Sequence, residues 1–166
     1  FINDYFKTDT NRKRLQSPPT GDIYNGLLNR NNNLCSIRSL VKKAVFDSLN
    51  GYDENLAYED YDFWIRASTI YNFDYVDKIL VQKRVLKDSM YTLLTQKNNK
   101  KTRRFNYSTY LILQKAFKLN RTQEEFIAML KRIHFEMTVA YKTRDFRLLL
   151  KYFFLELKVR STILYK

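Results

Sequence analysis

A single cysteine, Cys35, leaves this chain no internal disulfide to form. Stability therefore rests on packing, and a reducing compartment suits the chain. Glycine and proline are nearly as scarce, with three and two residues, which excludes a low-complexity or collagen-like chain. No run of about 20 apolar residues occurs, so no helix is long enough in apolar sequence to span a bilayer. The first residues lack the charged-then-apolar pattern of a secretory signal. What is present is globular: 45% of the 166 residues are apolar and 16% aromatic, enough for one core or a compact core with a helical appendage. The chain begins at Phe1 instead of Met, so the expectation is a piece of a longer protein. Its wealth of Lys, Asn, Tyr and Ile points to an AT-rich, bacterial genome.

The net charge of +13 is unevenly placed. Residues 1–100 hold 15 Lys/Arg against 12 Asp/Glu, whereas residues 101–166 hold 15 against 5. The basic excess thus belongs to the last third, and it points to an anionic partner there, a membrane surface or a nucleic acid.

Residues 7–20, with Pro18-Pro19, read as an exposed loop, because proline fits neither a helix interior nor a central strand. Residues 21–30 carry a short helical pattern stopped by Asn31-Asn32-Asn33, and residues 34–38 read as a short buried strand containing Cys35. Ser39 is a candidate N-cap for a helix with Leu40, Val41, Ala44, Val45 and Leu49 on its apolar face, and Asn50-Gly51 a left-handed stop. A helix over about 59–71 opens on acidic residues that suit its positive end. Strands are expected at 73–77 and 79–85, and the basic run 97–104 as a connector. Beyond it all reads as helix. Tyr107, Tyr110, Leu111, Gln114 and Phe117 share one face. Thr122 and Glu125 form a capping box before Phe126, Leu130, Ile133, Met137 and Tyr141. A last helix over about 144–165 carries an apolar face of Phe146, Leu149, Phe153, Leu157 and Leu164. Arg144, Arg147, Lys151 and Lys158 form an opposing stripe. His134, among apolar helix residues, reads as a partly buried packing residue.

The informative stretch is Asn50-Gly51-Tyr52-Asp53-Glu54, followed four residues later by Glu59-Asp60-Tyr61-Asp62-Phe63-Trp64-Ile65-Arg66. Ile37-Arg38 and Val45-Phe46 precede it; Phe73-Asp74-Tyr75-Val76-Asp77-Lys78 and Val81-Gln82-Lys83-Arg84 follow it. This order, over roughly residues 20–92, resembles the second half of the family 2 glycosyltransferases. That half reads arginine, helix, valine-phenylalanine, glycine-aromatic-aspartate-glutamate, then an acidic pair opening a helix with Trp and Arg. No motif of that family occurs in residues 103–166.

The resemblance implies an α/β fold: the acceptor-side portion of a GT-A-like fold with short strands and helices over residues 1–100, then an all-helical, basic C-terminal extension over 101–166. It implies sugar transfer from a nucleotide-sugar donor to a glycan or lipid-linked acceptor in bacterial surface-polysaccharide synthesis, with this segment alone inactive. The acceptor hydroxyl must lose its proton to a carboxylate as the new bond forms. The family's base position falls on Asp60, with Glu59 the neighbouring candidate; adjacent helical residues point about 100° apart and cannot share one role. Trp64 and Arg84 are the substrate-binding candidates, Arg84 facing the diphosphate. Where the family often places a histidine two residues after that arginine, this chain has Leu86. Asp60-Tyr61-Asp62 spells a D-x-D, but the metal-holding D-x-D of such enzymes follows a hydrophobic strand, and residues 55–59 are not one. The resemblance implies a Mg²⁺ or Mn²⁺ ion in the intact enzyme, bound mainly by a donor-binding half outside this chain.

Plainer readings exist for the same residues. Acids opening a helix complement its dipole, Asp62 with Arg66 is an ordinary i,i+4 pair, and Trp64 suits a core. The rival functions are a basic helical nucleic-acid-binding module and a non-catalytic interaction domain. Against the first, the aromatics follow core periodicity instead of interleaving with exposed basic residues, so no nucleic acid is expected. A cytoplasmic location, peripheral on the inner face of an anionic membrane, completes the expectation.

Overall fold

The computed structural model describes residues 2–8, 11–14, 20–30, 34, 36–84 and 96–165. Its body is helical. Three short helices, α1 (Tyr24–Leu28), α2 (Lys43–Ser48) and α3 (Glu59–Ser68), precede three long ones, α4 (Lys100–Leu119), α5 (Gln123–Lys142) and α6 (Phe146–Tyr165). Strands β1 (Ile2–Thr8), β2 (Asn11–Arg14) and β3 (Val76–Arg84) pair with one another in the order β2-β1-β3.

The α/β, GT-A-like architecture expected from the motif order is corrected by this arrangement. Among residues whose side chains are described, the hydrophobic core is drawn from helices, apart from Ile23 at the start of α1 and the loop residues Leu56 and Phe73. Motif order carried the wrong expectation because it records which residues follow one another, not which secondary structure buries them.

Local expectations fared unevenly. Residues 34–38 hold a 3₁₀ turn, Ser36–Arg38, with Ile37 exposed, instead of a buried strand. A five-residue apolar run is too short for periodicity to decide its type. Cys35, the Asn31–Asn33 stop and Pro18-Pro19 lie outside the described residues. Part of the 7–20 loop is strand, ending β1 and forming β2. The two strands expected after α3 are one, β3, preceded by a single bridge between Gly21 and Phe73. Ser39 does not cap α2, which starts at Lys43 and has Lys42 at its N-cap. The left-handed stop is present: Asn50 and Gly51 have φ of 56° and 64°, and the Gly51 N–H bonds the Phe46 carbonyl at 2.9 Å.

The supposed connector at 97–104 is half helix. Asn99 caps α4 by accepting from the N–H groups of Lys101 and Thr102. Helix α5 opens on the expected capping box, Thr122 Oγ1 accepting from Glu125 N–H at 3.3 Å and Glu125 Oε2 from Thr122 N–H at 3.1 Å. It ends where Arg144 turns left-handed (φ 60°) and the Asp145 N–H bonds the Ala140 carbonyl at 2.9 Å. Arg144 therefore belongs to the turn between α5 and α6 and not to the stripe on α6. Asp145 then caps α6 through the Leu148 N–H.

The largest corrections concern helix faces. In α6 the buried residues are Leu148, Tyr152, Leu155 and Val159, while Phe146, Phe153, Leu157 and Leu164, expected inside, are exposed. In α4, Tyr107 and Gln114 are exposed, and Ile112, Leu113 and Ala116 occupy the core. The expected face of α5 is closer: Phe126 and Ile133 are buried, and Tyr141 is exposed. His134 is not a packing residue; it is exposed, with Nε2 2.9 Å from Glu156 Oε1.

The core is continuous from α1 to α6. Tyr24, fully buried, places its hydroxyl 2.6 Å from Asn120 Oδ1 and 3.1 Å from the Ala116 carbonyl, tying α1 to the end of α4. Burial, reinforced by the charge of Glu125, pushes that phenol well above its ordinary range. Tyr61 joins α3 to α1 by donating to the Leu27 carbonyl at 3.2 Å.

Candidate functional site

The stretch from Asn50 to Arg66 folds as one unit, and a single arginine organises it. From α3, Arg66 Nη1 donates to the Leu49 carbonyl at 2.5 Å and Nη2 to the Gly51 carbonyl at 2.8 Å, satisfying carbonyls left over at the end of α2. Its Nε donates to Asp62 Oδ2 at 2.8 Å. The i,i+4 pair expected from sequence is therefore present, but it also holds the preceding turn. Phe46, Tyr52 and Phe63 close the unit with ring centroids 5.2–5.4 Å apart.

A residue with no motif to mark it supplies the second clamp. Lys115, three-quarters of the way along α4, places Nζ 2.9 Å from Asp62 Oδ1 and 2.7 Å from Asp53 Oδ2. Two acids of the motif thus converge on one cation from a helix more than fifty residues downstream. The Lys115 hydrogen bond holds the Asp53 carboxyl below its usual range. Burial works against the charge on Lys115, yet its bonds to Asp53 and Asp62 prevail and raise its pKa. Nothing in the spacing of α4 distinguishes Lys115 from the other lysines of that helix.

With Asp62, Arg66 and Asp53 committed to the fold and Glu54 exposed in the preceding loop, the candidate acids Glu59 and Asp60 remain. They occupy the first turn of α3, partly exposed, at the positive end of the helix dipole. Asp60 Oδ1 accepts from the Tyr61 N–H at 2.7 Å, and among the described residues neither acid forms an ion pair. Trp64 is in the core, 3% exposed, with its ring 5.1 Å from Phe63 and 6.0 Å from Phe73. It offers no platform to a ligand in this arrangement. Arg84 ends β3, in register with Lys7 of β1, and its side chain lies outside the described part.

A cavity of about 520 Å³ opens between α1 and α5, lined by Asn29, Arg30, Lys131, Arg132 and Phe135. It does not include Glu59, Asp60 or Trp64. Arg132 connects it to α3, with its guanidinium 5.1 Å from the Tyr61 ring and its Nε 2.7 Å from Glu136 Oε1. Nearby Tyr58 is pushed up to about 12, by burial first and by the charge of Glu136 second.

The Asp60-Tyr61-Asp62 D-x-D does not fit a divalent metal. The D-x-D aspartate Asp62 is buried, with both oxygens taken by cationic side chains. Among the described residues no three His, Cys, Asp or Glu side chains gather. Nor is any described helix long and apolar enough to cross a membrane. The chain matches no protein-family model, no curated protein and no solved structure.

Proposed function

We propose that the chain supplies the acceptor-side carboxylate of a nucleotide-sugar glycosyltransferase acting on a glycan or lipid-linked acceptor, with Asp60 as the base. One observation carries the reading: in an acid-rich helix start, Asp62 is consumed by Arg66 and Lys115, while Asp60 stays partly exposed and outside any ion pair among the described residues. An acid needed only to complement the helix dipole gains little from a scaffold built around its neighbour. Its carboxylate accepts the Tyr61 N–H at the positive end of the α3 dipole, on the partly exposed first turn where an acceptor hydroxyl can approach. In the transfer, Asp60 takes the proton of the acceptor hydroxyl as its oxygen bonds to the anomeric carbon, and the nucleoside diphosphate leaves with the electron pair of the bond that breaks.

This reading places the donor site and any Mg²⁺ or Mn²⁺ outside the described residues. In the intact enzyme, Asp60→Asn lowers kcat by about 10²-fold or more. Near-normal turnover removes Asp60 from the role. The 166-residue chain alone binds UDP- and GDP-sugars no better than about millimolar, since no donor-binding surface is assigned to it. Micromolar binding by calorimetry overturns that assignment. A second reading, a non-catalytic interaction domain, draws on the number of motif residues spent on packing; unchanged turnover in Asp60→Asn favours it.

A further inference from the structure

Helix α6 has two apolar faces, and the fold uses one. Leu148, Tyr152, Leu155 and Val159 pack inward. At about 100° per residue, Phe146, Leu150, Phe153, Leu157 and Leu164 form a second stripe on the opposite side. These five are 45–81% exposed, and Phe154 beside them is 61% exposed. A monomeric surface rarely leaves so many large apolar side chains in one line without a use for them.

The charges bordering the stripe state what it meets. Arg147, Lys151 and Lys158 run along its α4 side, Lys151 Nζ lying 5.6 Å from the Tyr107 ring and Lys158 Nζ 4.6 Å from the Phe117 ring. These contacts bring up the outer face of α4, where Arg103 and Lys118 are exposed. Helix α4 contains no acidic residue at all. The one acid of α6, Glu156, lies toward α5, bonded by His134 at 2.9 Å and Arg160 at 2.8 Å. An apolar stripe beside a band of cations that form no ion pair among the described residues complements an anionic bilayer. A second copy fits worse, because antiparallel self-pairing of α6 sets the basic flank against itself.

We infer that α6 lies in the plane of an anionic membrane surface, its Phe146–Leu164 stripe inserted at the headgroup boundary and its basic flank on the lipid phosphates. This is anchoring by insertion, not adsorption by charge alone, and it is independent of the sugar-transfer reading. The test is co-sedimentation of the full 166-residue chain with vesicles of phosphatidylcholine alone and with phosphatidylglycerol added, alongside sedimentation velocity without lipid. The expected result is a preference of about tenfold or more for the anionic vesicles, weakening with salt. The Phe153→Ser/Leu157→Ser variant, checked for unchanged circular dichroism, loses binding by about tenfold or more even at low salt. Arg103→Gln/Arg147→Gln, which leaves the stripe intact, weakens it roughly tenfold or more and reduces the salt dependence. Equal partitioning to both vesicle types, no binding, or full binding by the serine variant overturns the inference. So does a dimer in solution that the serine variant abolishes, which assigns the stripe to a second copy. Salt-sensitive binding to RNA without vesicle binding overturns it too.

Discussion

Replacing Asp62 by asparagine keeps the size of the side chain and removes its charge at the point where α3 meets α4. The carboxylate is 1% exposed and accepts from Arg66 Nε and Lys115 Nζ at 2.8 and 2.9 Å. After the exchange the amide oxygen can serve one donor, while its NH₂ group turns toward the other. Neither cation is stranded, however. Arg66 keeps the carbonyls of Leu49 and Gly51, and Lys115 keeps Asp53. Both also reach solvent, with side chains 22% and 39% exposed. The loss is therefore smaller than the 3–5 kcal/mol roughly expected when a fully buried charge loses its partner, and about 2–3 kcal/mol is the expected value. Urea unfolding followed by circular dichroism measures it, and a double-mutant cycle with Lys115→Met isolates the coupling. Lys43 provides the comparison: its i,i+4 pair with Asp47 is 87% and 55% exposed, and Lys43→Ala should cost less than about 0.5 kcal/mol. If Asp62→Asn costs no more than Lys43→Ala, the Arg66–Asp62–Lys115 network does not hold the acidic helix in place, and the division of roles drawn from it fails.

Gly51→Ala should destabilise by about 1–2 kcal/mol in the same assay, because φ is +64° and the added Cβ would stand 2.9 Å from the Phe46 ring, already packed against Tyr52 and Phe63. Thr122→Ala removes one half of the capping box and should cost about 1 kcal/mol, with the loss recovered in part by Thr122→Ser. Glu59→Gln and Asp60→Asn should each change stability by less than about 1 kcal/mol, so that a loss of turnover in Asp60→Asn reports chemistry and not unfolding. The half-buried neutral phenol of Tyr58 contributes stability that is complete below the unfolded value near 10 and declines as pH rises toward its folded value of about 12. Urea midpoints should fall from about pH 10 upward, and less steeply in Tyr58→Phe; an identical profile in that variant removes Tyr58 as a contributor.

Half of the candidate site was open to inspection in the sequence. The acid-opened helix, the Asn50-Gly51 reversal and the Asp62–Arg66 pair all depend on residues within a turn or two of each other, and they are present as read. Trp64 was legible both as a core residue and as a ligand platform, and only its 3% exposure decides between them. Lys115 was not legible. Its role depends on α4 lying against α3, a contact between residues 53 positions apart that no local pattern encodes.

The amino-acid sequence by itself determined where helices begin and end near strong local signals. The Thr122–Glu125 capping box and the left-handed glycine act within four to six residues, through backbone geometry and hydrogen bonds that are local to the chain. Tertiary structure decided everything that involves choosing among apolar surfaces. Helix α6 carries Phe146, Phe153 and Leu157 on one side and Leu148, Leu155 and Val159 on the other. By hydrophobicity alone either side could face inward. The inner face is the one whose Tyr152 fits against Tyr110, 5.4 Å between ring centroids, with its hydroxyl reaching the Asn106 carbonyl at 3.4 Å. Hydrophobic burial is non-directional, so it requires that some face be covered; only the shape and hydrogen bonds of the neighbouring helices select which.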